Sequence, residues 1–219
     1  AVLVSQWRHV RDDTRPEPSA AAPDLREQFQ ALATPTILMF FIFFTLTAFA
    51  TNGIHSFTVV ALVELRGMPL TAATSALTGY LIASAVGVLA GGFVADKITR
   101  HGAMAACALL ISAFFLMAMV SISFPVTIVV TLMTLVGLFQ GSIRPARDML
   151  IRAVLPKASF GKAVGIVATG AAFGGALAPF AFGWIMDLGK AELVFYVLVI
   201  SVVLMAATIL VAGRKVPAS

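Results

Sequence analysis

The segment GGFVADKITRHG, residues 91–102, concentrates charge between two long apolar runs. It contains Asp96, Lys97 and Arg100 in a chain of 219 residues of which only 11% are charged, whereas a soluble domain carries about 25%. The apolar runs on both sides approach the length of about 20 residues that a helix needs to cross a bilayer. The pattern therefore predicts a polar hairpin at a membrane surface, between two membrane-spanning helices.

The composition agrees with this interpretation. Hydrophobic residues make up 60% of the chain, and the mean hydropathy is +1.00. The net charge of +5 is typical of the basic loops of membrane proteins, so we expect no nucleic-acid partner. Cys107 is the single cysteine, and no His, Asp and Glu residues recur at metal-ligand spacing, so neither a disulfide, a metal site nor a cofactor is expected.

Six apolar segments are predicted to span the membrane. Helix is the expected conformation because it satisfies its own backbone hydrogen bonds in lipid. The predicted fold class is an all-α integral membrane protein with six transmembrane helices, which are Pro35–Val63, Ala72–Ala95, Ala103–Ile122, Pro125–Ile143, Ala163–Met186 and Ala191–Ala212.

The distribution of Lys and Arg predicts the orientation. Three connections share one side of the membrane, and they contain only Arg66 and Lys190. The other thirteen of the 15 cations precede the first span, follow the last, or lie in the loops at 96–102 and 144–162. The positive-inside rule then places both termini in the cytoplasm. We expect a multi-pass protein of a cell membrane, specifically a bacterial inner membrane.

Three segments resemble one protein family. Residues 92–101, GFVADKITRH, resemble the loop motif Gly-x-Leu-Ala-Asp-Arg-x-Gly-Arg-Arg/Lys of the major facilitator superfamily, with departures at Val94, Thr99 and His101. Residues 144–165, which begin RPARD, are similar to the family's loop between its tenth and eleventh helices. Residues 170–183, GAAFGGALAPFAFG, are similar to its glycine-rich eleventh helix.

The resemblance implies the C-terminal half of a twelve-helix transporter. Residues 1–6 would end the preceding transmembrane helix, 7–34 would be a cytoplasmic linker, 35–213 the six-helix bundle and 214–219 a cytoplasmic tail. The implied partners are the lipid bilayer, the N-terminal six-helix half of the same protein, a small organic solute and protons. The implied function is secondary active transport by alternating access, as symport or efflux. An intramembrane enzyme and a non-transporting six-helix scaffold or sensor are the alternatives.

The charged loops are candidates for a cytoplasmic gate. A lone carboxylate at a helix end near lipid is costly to desolvate, so Asp96 is expected to seek a cationic partner. One hypothesis is a latch in which Asp96 and Arg147 hold the cytoplasmic side closed; the alternative is a solvated loop whose cations only set orientation. The candidate gate residues are Gly92, Asp96, Lys97, Arg100, Arg144, Arg147 and Asp148.

Small residues repeat at helical spacing in the fifth predicted span. Such residues let helix backbones approach closely in lipid, and Pro179 is expected to kink the helix. Static close packing and a sliding gate are both compatible with the pattern. The candidate packing residues are Gly170, Gly174, Gly175, Pro179 and Gly183.

A polar stripe in the first span predicts a substrate cavity, because polar side chains in a membrane helix face protein or water. His55 is the one ionisable side chain well inside a predicted span, and it is either a proton carrier or a neutral residue bonded to a neighbouring helix. No serine in a Gly-x-Ser setting faces it, as a nucleophilic enzyme would need. The candidate cavity residues are Thr45, Asn52, His55, Tyr80, Ser84 and Thr131.

Overall fold

The computed structural model describes residues 35–98, 101–154 and 160–214. Arg100 and the segments predicted as a preceding helix, a linker and a tail, 1–6, 7–34 and most of 214–219, lie outside these residues. The described chain consists of six helices, which are α1 (Pro35–Arg66), α2 (Leu70–Ala95), α3 (His101–Ser121), α4 (Val126–Val154), α5 (Phe160–Asp187) and α6 (Ala191–Arg214).

All six helices are long and apolar enough to cross a membrane. The shortest, α3, has 21 residues, and at 1.5 Å per residue it extends about 31 Å, close to the ~30 Å hydrocarbon core of a bilayer. Large apolar side chains cover the outer surface; Phe93, Phe180 and Trp184 are 74%, 78% and 64% exposed. Such a surface would aggregate in water but is matched by lipid. The predicted all-α membrane fold with six spans is confirmed.

Two glycines end helices in the tight connections. Gly67 and Gly189 adopt φ angles of +59° and +67°, a left-handed conformation that closes a helix C-terminus and that only glycine adopts without strain. Their backbone N–H groups donate to the carbonyls of Val63 and Met186 at 2.9 Å. The chain can therefore reverse within three or four residues on this side of the bundle.

Arg66 joins two connections on that side. Its guanidinium donates hydrogen bonds to the backbone carbonyls of Met119, in the last turn of α3, and of Ile122, directly after it. These carbonyls have no partner within their own helix, because the last turn of any helix leaves its acceptors free. The end of α1 and the end of α3 thus lie on the same side, as the sequence-based topology requires.

The helices pack as a ring of neighbours. Helix α1 packs extensively against α5 and α6, α2 against α4, and α3 against both α4 and α6, while α1 and α2 share a smaller interface. Phe182 of α5 lies against Gly53 of α1, where any Cβ would overlap its ring. The Phe182 ring also stacks on Phe49, with ring centroids 4.9 Å apart. This aromatic packing fixes α5 along α1.

Helix α4 differs most from its prediction. The predicted span ended at Ile143, and the following Arg144 and Pro145 locally disfavour a helix, because the residue before a proline avoids helical angles and proline lacks an N–H group. The helix instead continues through Pro145 to Val154. Proline inside a membrane helix is tolerated when neighbouring groups compensate for the lost backbone bond. Arg144 and Arg147 consequently belong to a helix rather than to a cytoplasmic loop.

Candidate functional site

Helices α2 and α4 approach so closely that their backbones touch. A Cβ at Gly137 would lie 2.8 Å from the Cα of Tyr80, and one at Gly141 would lie 2.9 Å from the Cα of Ser84. Both separations are well below ordinary van der Waals distances, so glycine is required at both positions. Gly87 and Gly91 of α2 repeat the arrangement against the backbone of α4. This close backbone contact places Tyr80 and Ser84 beside the part of α4 that contains Arg144 and Arg147.

A small polar cavity lies at this place, near the middle of α1 and α2. Its accessible volume is about 30 Å³, which is room for a water molecule or two. Four helices contribute its wall. The lining residues are Phe43, Thr47, Ala50 and Thr51 of α1, Tyr80 and Ser84 of α2, Gln140, Ile143, Arg144 and Arg147 of α4, and Met205 of α6.

A chain of hydrogen bonds crosses the wall of this cavity. The hydroxyl of Tyr80 donates to Oε1 of Gln140 at 2.9 Å, and Nε2 of Gln140 donates to the hydroxyl of Ser112 in α3 at 3.1 Å. Tyr80 and Ser112 are buried. Buried polar groups without partners are costly, so this chain holds α2, α3 and α4 in one arrangement around the cavity.

Arg147 is neutralised by its neighbour in the sequence. Its guanidinium contacts the carboxylate of Asp148 through Nε and Nη2, each at 2.9 Å. The same guanidinium lies over the ring of Phe44, 4.6 Å from the ring centroid, a favourable cation–π geometry. Only 18% of the Arg147 side chain is exposed. Arg147 is therefore held between α4 and α1 as part of a net neutral pair.

Arg144 has a different environment. It is exposed and lines the same cavity one turn before Arg147. The single ion pair found among the described residues is that of Arg147 with Asp148, so no described carboxylate balances the charge of Arg144. The sequence predicted a place for this residue in a cytoplasmic gate. Arg144 lies four residues after Gln140, on the same face of α4, but the predicted helix ended at Ile143, so this spacing was not recognised.

The other predicted cavity residues lie in several places. His55 is exposed, and its ring meets that of Tyr80 edge-on with centroids 6.0 Å apart, so it lies beside the cavity without lining it. Asn52 and Thr45 face α5: Nδ2 of Asn52 would lie 3.4 Å from a Cβ at Gly175, and Thr45 lies against Gly174. Thr131 is exposed and donates to the carbonyl of Thr127 in its own helix. The structure does not place these last three residues at the cavity.

Thr47 and Thr51 are polar cavity residues of α1 that were not among the candidate cavity residues, although Thr51 flanks the predicted polar stripe. They are spaced i,i+4 and lie on a different side of the helix from Thr45 and Asn52, which face α5. The hydroxyl of Thr47 donates to the carbonyl of Phe43 at 2.7 Å. Two polar stripes therefore run along α1, and periodicity alone could not decide which one faces the cavity.

The predicted gate motif lies at the end of α2. Asp96 caps the helix, and its backbone N–H donates to the carbonyl of Gly92 at 3.0 Å. The side chains of Asp96 and Lys97 are exposed. Arg147, the predicted latch partner of Asp96, pairs with Asp148 instead. In this conformation the structure does not bring the two latch residues together.

The glycines of α5 divide into two groups. Gly170 and Gly174 touch the backbone of α1 at Phe41 and Thr45, and a Cβ at Gly170 would lie 2.8 Å from the carbonyl oxygen of Phe41. In contrast, a Cβ at Gly183 would meet nothing within 4 Å, and Pro179 is exposed. Among the described residues, close packing therefore involves the first half of the predicted glycine stripe and not its end.

A second, larger cavity of about 470 Å³ lies between α2, α3 and α4. Its walls are almost entirely apolar, and the hydroxyl of Ser142, which lines it, already donates to the carbonyl of Phe139 at 2.8 Å. Solute sites use a few polar groups to fix orientation, and Ser142 and Cys107 supply the polar side chains in the described lining of this cavity. The smaller polar cavity is therefore the better candidate for a functional site, despite its size.

Six helices able to span a membrane, four of which line a polar cavity, define a multi-pass membrane protein. Across the described residues, no three His, Cys, Asp or Glu side chains are grouped to hold a metal ion. The family model of the Major Facilitator Superfamily matches residues 36–219. The chain belongs to this family of transporters, which confirms the resemblance of its loop motifs. A search of curated proteins gives no match to the chain.

Proposed function

We propose that the chain moves a small organic solute across a membrane by alternating access, as one six-helix half of a secondary active transporter. The observation that supports this proposal is the polar cavity at the middle of α1 and α2, lined from four helices. Transporters of this kind bind their solute near the bilayer midplane, between two bundles that rock about the site. A second six-helix half is the proposed partner.

Solute accumulation in proteoliposomes tests this function. The full-length protein would be reconstituted, incubated with an isotope-labelled mixture of small metabolites, and the entrapped solutes identified by mass spectrometry. We expect at least one solute to accumulate only in vesicles that contain the protein. A chain that is a scaffold or sensor would give the same contents as empty vesicles.

Two threonines provide a matched pair of variants for this assay. Thr51 lines the cavity, whereas Thr131 is exposed on α4 away from it. Thr51→Phe adds a ring to a space of about 30 Å³ and is expected to abolish accumulation. Thr131→Phe adds the same ring outside the cavity and is expected to leave accumulation intact. The reverse result would place the solute path on the other face of α4.

The proposed orientation has both termini in the cytoplasm of a bacterial cell. Thirteen cations predicted the cytoplasmic side. Eleven remain there when Arg144 and Arg147 are assigned to the cavity, compared with two on the other side of the membrane. The bias toward one side therefore persists. A cysteine introduced at Lys190, in the exposed α5–α6 connection, is expected to react with an impermeant maleimide from outside intact cells. Labelling only after lysis would reverse the orientation.

Protons are the proposed coupling ion, with His55 as their carrier. The imidazole lies beside Tyr80, whose hydroxyl begins the hydrogen-bond chain to Gln140 and Ser112. Histidine is the side chain that most readily changes charge near neutral pH. We expect His55→Gln to flatten the pH dependence of solute uptake. An unchanged pH profile would remove His55 from the coupling while leaving solute transport itself in place.

A further inference from the structure

We infer that the transported solute is an organic anion with a single negative charge, and that Arg144 binds its carboxylate. The inference rests on the proposed transport function and names the chemical class of its solute. It depends on three features of the cavity: its net charge, its free hydrogen-bond donors and its apolar walls.

The net charge of the cavity is one positive unit. Arg144 and Arg147 line it, and Asp148 neutralises Arg147 through two contacts of 2.9 Å. Among the described residues, Arg144 forms no ion pair. An unbalanced charge between membrane helices is costly and usually marks a substrate or ion path. One negative charge on the solute would balance it.

Among the described residues, the lining groups that donate no hydrogen bond are the Arg144 guanidinium and the hydroxyls of Thr51 and Ser84, and Arg144 is the charged one. The hydroxyls of Tyr80 and Thr47 donate to Gln140 and to the Phe43 carbonyl, and the amide of Gln140 donates to Ser112. The described part of the chain offers the Arg144 guanidinium no acceptor within hydrogen-bond distance. A guanidinium presents a planar fork of N–H groups that matches the two oxygens of a carboxylate.

The other lining residues favour a solute whose remaining surface is apolar. Phe43, Ala50, Ile143 and Met205 surround the polar groups, and no described carboxylate lines the cavity that would attract an amine. A volume of about 30 Å³ is too small for an organic solute. Binding of the solute between Arg144 and these walls therefore requires a conformation in which the cavity is wider.

Thermal stabilisation of the purified full-length protein tests this inference with defined probes. Benzoate and hexanoate would be compared with the uncharged isosteres benzamide and hexanamide, and with hexylamine. We expect stabilisation by the two carboxylates alone, because a ligand that binds the folded state raises its stability. Equal stabilisation by an acid and its amide, or by hexylamine, would overturn the inference.

Variants of one residue test whether Arg144 is the binding group. Loss of a charge-assisted hydrogen bond weakens binding about 10- to 100-fold, so Arg144→Gln is expected to raise the Kd for benzoate by that factor. Arg144→Lys keeps the charge but loses the fork and should show a smaller increase. Lys190→Gln removes the same charge from an exposed connection and should leave the Kd unchanged. Equal Kd values for Arg144→Gln and Lys190→Gln would overturn the assignment.

The accumulation assay separates this inference from the proposed function. Accumulation of monoanions that is lost in Arg144→Gln would support both. Accumulation of neutral or cationic solutes that is unaffected by Arg144→Gln would overturn the anion inference and leave the transport function standing. Absence of any protein-dependent solute would count against transport itself. The unliganded melting temperature of each variant shows whether a loss of uptake reflects unfolding instead.

Discussion

Substitution of Gly141 by alanine tests the close backbone approach that builds the cavity. The new Cβ would lie 2.9 Å from the Cα of Ser84 and closer still to its carbonyl oxygen, whereas ordinary van der Waals separations begin at 3.4 Å. Helices α2 and α4 must therefore separate by at least about 0.5 Å to relieve the overlap with that one carbon. Inserting an extra carbon into a well-packed interface costs about 1–3 kcal/mol.

The expected net effect includes the helix preference of alanine. Replacing glycine by alanine within a helix favours folding by about 0.5–1 kcal/mol, so Gly141→Ala should lower the free energy of unfolding by up to about 2.5 kcal/mol, and by about 1 kcal/mol at the middle of the two ranges. For a chain of this size, the middle value corresponds to a fall in Tm of about 2–4 °C and the upper value to about 10 °C at most. Thermal unfolding in detergent, followed by tryptophan fluorescence or circular dichroism, measures it.

Gly183→Ala is the matched control, because it makes the same chemical change where a Cβ meets nothing within 4 Å. It retains the helix preference without the clash and is expected to raise the free energy of unfolding by up to about 1 kcal/mol. The reasoning about α2 and α4 would be refuted if Gly141→Ala were as stable as Gly183→Ala. A similar fall in both variants would also refute it.

Three further substitutions have defined outcomes. Arg66→Gln removes the donor that joins α1 to the end of α3. It should lower Tm by about 2–8 °C, equivalent to about 1–2 kcal/mol, whereas Lys190→Gln, in an exposed connection, should leave Tm unchanged. Tyr80→Phe leaves Oε1 of Gln140 without its donor. It should lower the free energy of unfolding by about 1–3 kcal/mol and slow uptake. Unchanged stability would show that this hydrogen bond is dispensable. On the latch hypothesis, in which Asp96 forms an ion pair in another conformation, Asp96→Asn should slow uptake about tenfold. Unchanged initial rates in proteoliposomes would eliminate that hypothesis.

The fold was predictable from the sequence because apolar length determines membrane helices. Five of the six spans begin and end within a few residues of their predicted limits. The exception is α4, where Arg144 and Pro145 together imitate the start of a loop. Local rules of backbone conformation favour a helix end there, but the surrounding helices stabilise the continued helix and override that local preference.

The candidate site was less predictable, because it depends on which faces of helices meet. Tyr80 and Ser84 were selected from spacing, and the structure places both at the cavity. Thr45 and Asn52 were selected by the same reasoning, but they face α5. Gly137 and Gly141 determine which face of α4 packs against α2. Their four-residue spacing is a known signal for close helix packing in membranes, but the sequence does not say which helix is approached.

Two pairs of helices are interlocked by their backbones, α2 with α4 and α1 with α5, and the interface between α1 and α2 is much smaller. Shear within a pair would drive carbonyl oxygens past backbone carbons, whereas between the pairs α1 and α2 meet at a small interface and α6 and α3 provide the remaining link. Each pair should consequently move as a rigid body, with Arg144 and Tyr80 on one and Thr51 on the other. Spin-label distances across this seam should change when solute binds, while those within each pair stay constant.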